Sequence, residues 1–191
     1  MKTTETFVFK LATEESEIRQ IHRLNYQTFV DEIPQHMPND QQLLVDQFNG
    51  ENTYIVCLKE DKVVGMVAYR AGRPFSLDKK LDNLDSYLPT GSKVCEIRLL
   101  AIERESRKGP VLQGLLTMLA KYCISQRMDL AIVSANLKRM RFYKNLGFIP
   151  FGPVVGTPEA PYQPMYRDLS TVDDDLRHFS ARRCHIPSQK R

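Results

Sequence analysis

One carboxylate falls in the middle of an apolar, strand-like run. Residues 94–102 read Val-Cys-Glu-Ile-Arg-Leu-Leu-Ala-Ile, and a strand there sets Glu96, Arg98 and Leu100 on one face. Cys95, Ile97, Leu99 and Ala101 take the other. A carboxylate so placed is costly unless it is paired or used. Used, it would be a base: an amine nucleophile is mostly an ammonium ion at neutral pH, with a reference pKa of ~10.4 for lysine or ~8 for an α-amine. Acyl transfer to that amine needs its proton removed. Paired, it would be a structural partner of Arg98 or another cation. Tyr143 is the second candidate, in Arg141-Phe142-Tyr143-Lys144-Asn145-Leu146-Gly147-Phe148. A phenol there can protonate a leaving thiolate, whose thiol has a reference pKa of ~8.5, or can pack as a half-buried ring.

Between these two lies the turn from Arg104 to Leu112, with Arg107, Lys108 and Gly109 at its centre. A strand-to-helix turn offers free N–H groups and a helix dipole to a pyrophosphate; the plainer alternative is a solvated basic loop. Asn136 suits either donor amides or a turn. Tyr26 and Phe29 stand three apart on an N-terminal helix, most simply as core residues, and Asp46-Gln47-Phe48-Asn49 reads as an Asx-type turn. His22, His36, His178 and His185 have no Ser or Asp arrangement that suggests a hydrolase triad.

The elements that position these residues follow from periodicity. Phe7–Leu11 is an opening strand, and a helix starts in the acidic stretch after Thr13 and runs to about Val30. A short helical piece is expected at 41–47. Residues 53–58 and 62–69 form a hairpin about Lys59-Glu60-Asp61. A long connection follows, with a short amphipathic helix around Leu77 to Leu84. After the 93–102 strand come a helix over 109–127 with Val111, Leu112, Leu115, Leu116, Leu119 and Ile124 on one face, a strand over 129–134, and a helix over 139–146 closed by Gly147. Edge strands are expected near Val154 and Met165-Tyr166. Ser170 or Thr171 caps a last helix that frays beyond Ala181. Strands followed by a βαβ unit argue a mixed α/β sheet in one domain over 1–168, with a C-terminal helix and basic tail over 169–191.

Composition bounds the function. With 191 residues, 42% hydrophobic and 26% charged, the chain suits one globular domain. No apolar run reaches the ~20 residues of a membrane span, and the polar N-terminus lacks a secretory signal. Four scattered cysteines (Cys57, Cys95, Cys123, Cys184) without metal spacing read as reduced and structural, in a cytoplasmic protein without a metal site. The net charge of +4 fits an anionic ligand or an acidic protein partner, and no nucleic-acid-binding motif accompanies it.

On these residues the chain resembles the GNAT superfamily of N-acetyltransferases over roughly residues 7–168. The branch it most resembles holds the acyl-homoserine-lactone synthases and the long-chain N-acyl amino acid synthases. The resemblance rests on Leu24-Asn25-Tyr26-Gln27-Thr28-Phe29, Asp46-Gln47-Phe48-Asn49, Glu96-Ile97-Arg98-Leu99-Leu100-Ala101-Ile102 and Phe142-Tyr143-Lys144-Asn145-Leu146-Gly147-Phe148. It implies a central mixed, mostly antiparallel sheet flanked by helices and splayed between strands 4 and 5. It implies Glu96 as general base and Tyr143 as general acid. Leu99 to Ile102, Arg107 to Gly109, Val111, Leu112 and Asn136 would hold the donor, with an oxyanion on a strand-4 N–H near Leu99 to Ala101. Tyr26, Phe29, Asp46, Phe48 and Arg98 would line the acceptor side. The family's donor loop is kept at Arg107 alone, since Pro110 and Leu112 replace its glycines. That pattern suits an acyl donor on an acyl carrier protein as well as acyl-CoA, with Arg104, Arg107 and Lys108 toward an acidic carrier. Asn25 and Asn49, where lactone synthases carry arginine and aspartate, point away from homoserine-lactone synthesis. The expected activity is N-acyl transfer to a primary amine by direct attack; the alternatives are acetyl-CoA-dependent N-acetylation of a small amine or protein, and a non-catalytic binding module.

Overall fold

The computed structural model describes residues 6–107 and 109–172. Its strands are β1 Phe7–Leu11, β2 Thr53–Lys59, β3 Lys62–Arg70, β4 Val94–Ile102, β5 Leu130–Asn136, β6 Ile149–Pro150, β7 Val155–Gly156 and β8 Pro161–Asp168. They form one sheet in the order β1-β2-β3-β4-β5-β8-β6, with β7 on β8. Every pair is antiparallel except β4–β5. A parallel pair requires a crossover, and helix α2 (Val111–Ser125) supplies it. The expected mixed, mostly antiparallel sheet flanked by helices is present.

Alternation along β2 shows how the two faces are covered. Tyr54 and Val56 meet Ile21 and Leu24 of α1 (Glu15–Tyr26), while Ile55 and Cys57 meet Val111, Leu115 and Leu119 of α2. Burial on both faces explains why β3 is apolar nearly throughout. Gly114 sets how close α2 comes: a Cβ there would fall 2.0 Å from the Phe9 ring.

Several boundaries differ from the sequence reading. The α-helix ends at Tyr26, and Gln27–Glu32 widen into a π-helix. No helix forms at 41–47, because the Asn39 and Asp46 side chains bond nearby backbone and hold turns instead. The segment 77–84 holds two short 3₁₀ turns, Leu77–Lys79 and Leu84–Tyr87, separated by left-handed Asn83 (φ 54°). Helix α2 starts at Val111 after Pro110, which has no N–H to give. Its buried stripe is Val111, Leu115, Leu119 and Cys123; Leu112 and Leu116 are half-buried, and Ile124, one position round the helix from Cys123, is exposed.

Leu169 and Val172 pack into the α2-side core. The tail helix and basic tail beyond Val172, with His178, Cys184 and His185, lie outside the described residues. Among the described residues, no helix is long and apolar enough to cross a membrane.

Candidate active site

The sheet opens at Glu96. Strands β4 and β5 pair at Val94–Leu130, Cys95–Ala131 and Glu96–Ile132, and then part, although β4 runs on to Ile102 and β5 to Asn136. Glu96 is thus on the last rung of the ladder, and its residue is 0% exposed. Burial this complete is offset by donors. Ser76 gives Glu96 Oε2 its backbone N–H at 2.8 Å and gives Oε1 its hydroxyl, and Arg98 Nε lies 3.7 Å from Oε2.

Arg98 is itself fixed. Its two terminal nitrogens donate to both oxygens of Asp46, at 2.9 and 3.0 Å, in a bidentate pair. Asp46 also accepts from the backbone N–H of Phe48 (3.2 Å) and from Asn52 Nδ2 (2.7 Å). The Asx turn and the ion pair therefore coexist. The Phe48 ring lies under two guanidinium groups, 4.7 Å from Arg98 and 4.0 Å from Arg70. Arg70, fully buried, is the cross-strand partner of Glu96, and it donates to the Pro74 carbonyl (3.0 Å) and to Glu51 (2.9 Å). The sequence reading missed Arg70, Ser76 and Glu51. One signal was available, a lone arginine closing the apolar run of β3.

The strand then breaks its own alternation. Leu99 has φ 52°, and the β3–β4 register slips so that Leu99 and Leu100 together oppose Val67. A leucine in that conformation costs about 1–2 kcal/mol. The bulge corrects the expected face assignment. Leu100 and Ile102 join Cys95 and Ile97 on the α2 side, and Leu99 and Ala101 turn to the α1 side that Glu96 and Arg98 face. It also takes one residue of 99–100 out of the β3 ladder.

Tyr143 approaches from the opposite face. Helix α3 (Met140–Asn145) ends in a Schellman motif: Phe148 N–H bonds the Tyr143 carbonyl (3.0 Å), Gly147 N–H bonds that of Lys144 (2.9 Å), and Gly147 takes φ 80°. The hydrophobic contact that accompanies this motif is the edge-on pair Tyr143–Phe148, with centroids 5.9 Å apart. The Phe-Tyr-x-x-Leu-Gly-Phe pattern is therefore a helix stop. It packs the Tyr143 ring against Val133, Ala135 and Met165, on the side of β5 away from Ile132. Burial raises the phenol's pKa, with Arg139 pulling weakly the other way.

The remaining expected residues are placed less simply. Arg107 is engaged, since its Nε donates to the Ile102 carbonyl (2.9 Å) and its guanidinium pairs with Glu32 at 2.7 Å. Lys108 lies outside the described residues. Gly109 is exposed in the turn, Val111 is fully buried in the core, and Leu112 packs partly against that core. Asn136 accepts from Lys138 N–H at 3.0 Å, the turn role. Tyr26 is buried with its hydroxyl beside Asn39, and half-buried Phe29 packs on the α1-side core, so neither is brought to Glu96 by any contact seen. Asn25 is fully buried, with neither end of its amide hydrogen-bonded.

Comparison with known families places the chain as a whole. The profile of the N-acyl amino acid synthase FeeM matches residues 20–166. The chain belongs to the FeeM family. Solved structures agree on the fold. BjaI, a CoA-dependent acyl-homoserine lactone synthase solved with MTA, is 18% identical with a TM-score of 0.78, over 96% of this chain and 92% of that one. FeeM, an N-acyl amino acid synthase from uncultured soil microbes, is 18% identical with a TM-score of 0.68, over 92% and 99%. Escherichia coli ElaA is 20% identical with a TM-score of 0.60, over 85% and 100%. No curated protein sequence matches the chain. Membership in the FeeM family makes this protein an acyltransferase, so the non-catalytic alternative falls away.

Proposed function

We propose that this FeeM-family protein transfers an acyl group from a thioester to the primary amine of a free amino acid by direct attack. The carrying observation is the position of Glu96, buried on the last rung before β4 and β5 part, with Tyr143 on the other face of the gap. The ammonium loses one proton to water as it enters from the Glu96 side, and as the free amine attacks, it gives a second to that carboxylate, directly or through water. Its lone pair attacks the thioester carbon in the gap. The oxyanion forms near the bulge at Leu99 and Leu100, where one residue leaves the β3 ladder. The C–S bond then breaks, and Tyr143 hands a proton to the departing thiolate. Ser76 and Arg98 hold Glu96 in place, and Asp46 holds Arg98.

A carrier-protein donor is the reading the turn favours over free coenzyme A. Arg107 is tied to Glu32, Pro110 offers no N–H, and Leu112 fills the place of a small residue. A cytoplasmic enzyme suits such a carrier and the buried free thiols of Cys57, Cys95 and Cys123.

The test is thiol release from acyl-carrier and acyl-CoA donors of graded chain length, with and without amino acids. Amine-dependent release, fastest with long chains on the carrier, is expected. Preference for acetyl-CoA would replace this reading with an ordinary N-acetyltransferase. Glu96→Gln is expected to cut turnover at least ~100-fold with the fold intact; unchanged turnover would remove Glu96 as base.

A further inference from the structure

On the Glu96 side of the gap, β5 presents Ile132, Ser134 and Asn136, and β8 places Tyr166, Pro164 and Tyr162 opposite them. Lys80 overhangs this face. It follows the short turn Leu77–Lys79, next to the Ser76 that binds Glu96, and its ammonium stands 4.7 Å from the centre of the Tyr162 ring. The residue is exposed, yet the fields of Glu96 and Arg98 both reach its ammonium; partial desolvation lowers its pKa, Glu96 opposes that shift and Arg98 adds to it.

The cations around Glu96 are not equivalent. Arg98 has both terminal nitrogens on Asp46, and Arg70 is bound to Glu51 and the Pro74 carbonyl. Lys80 forms no ion pair with any carboxylate among the described residues. On β5, two residues beyond the Glu96 partner, the Ser134 hydroxyl is buried without a hydrogen-bond partner. An unpaired ammonium and an unpaired hydroxyl on one face make a donor set for a carboxylate, which has only acceptors to offer. A dipolar amino acid would enter one way round, its ammonium repelled by Lys80 and Arg98 toward Glu96.

We propose that Lys80, with Ser134 on the same face of the sheet, binds the carboxylate of the acceptor and so selects amino acids over amines that lack one. This inference rests on the acceptor meeting Glu96 as set out above. The experiment compares a panel of free amino acids with their decarboxylated amines, in the wild type and in Lys80→Gln, Lys80→Arg and Ser134→Ala. Lys80→Gln is expected to raise KM for amino acids roughly tenfold with kcat little changed, and to leave KM for the plain amines where it was. Lys80→Arg restores the lower KM, and Ser134→Ala gives a smaller rise. Equal use of amino acids and plain amines by the wild type overturns the inference, as does an equal KM rise for both in Lys80→Gln. Acyl transfer to no amine at all would instead overturn the proposed function, and this inference with it.

Discussion

The two ends of β4 treat charge in opposite ways. At its start, Glu96 and its β3 partner Arg70 are buried and Arg98 is half-buried, and they are held by Ser76, Glu51 and Asp46 respectively. At its end, the turn after Ile102 has Arg107 on the surface, paired with Glu32, and Pro110 without an N–H to offer. Buried charges cannot be left unpaired, so the first cluster is rigid and specific. A surface pair holds little energy. The Glu96 end is preorganised, whereas the turn is not.

That contrast can be broken at either end. The largest effect expected is the Glu96→Gln loss of at least ~100-fold in turnover, with unchanged circular dichroism. Next, Asp46→Ala strips the half-buried Arg98 of its bidentate partner and is expected to cost about 3 kcal/mol of stability in urea unfolding. A cost under ~1 kcal/mol would show that Arg98 finds water and that the cluster is not dry. Tyr143→Phe is expected to lower turnover about tenfold or more if the phenol is the acid. Because burial raises that phenol's pKa, it stays protonated through the usual range of a tyrosine near ~10, so wild-type activity should show no alkaline fall from this group below that pH. An alkaline limb near pH 8 that vanishes in Tyr143→Phe would contradict the raised value. The smallest effect belongs to the turn: Arg107→Ala should cost under ~1 kcal/mol and leave the donor KM unaltered. A tenfold rise in KM for acyl-CoA, absent with a carrier-bound donor, would restore the turn as a phosphate cradle.

The legible parts of the site were those with a local signature. Glu96 announced itself as a charge within an apolar strand, and Tyr143 within a helix stop whose Gly147 and Phe148 make the Schellman contacts. The parting of β4 from β5 was implied only by resemblance, and the ladder ends at Glu96. The illegible parts were long-range pairs. Asp46 and Arg98 stand 52 residues apart, and Arg107 and Glu32 stand 75 apart. The helical piece expected at 41–47 failed because the Asn39 and Asp46 side chains bond nearby backbone, and the stripe on α2 missed Cys123 for Ile124.

The sequence by itself determined the order of the main strands and helices and the apolar faces that fold them into one sheet, and it offered two candidates for acid–base work. Those features depend on neighbours within a few positions, where the periods of strand and helix act directly. Only the tertiary structure decided which face each residue of β4 serves, because one bulge at Leu99 reverses the alternation beyond it. It alone decided that Arg107 has a carboxylate partner while Lys80, among the described residues, stands over the Tyr162 ring without one, since a charge's partner is set by the register of strands and turns far apart in the chain.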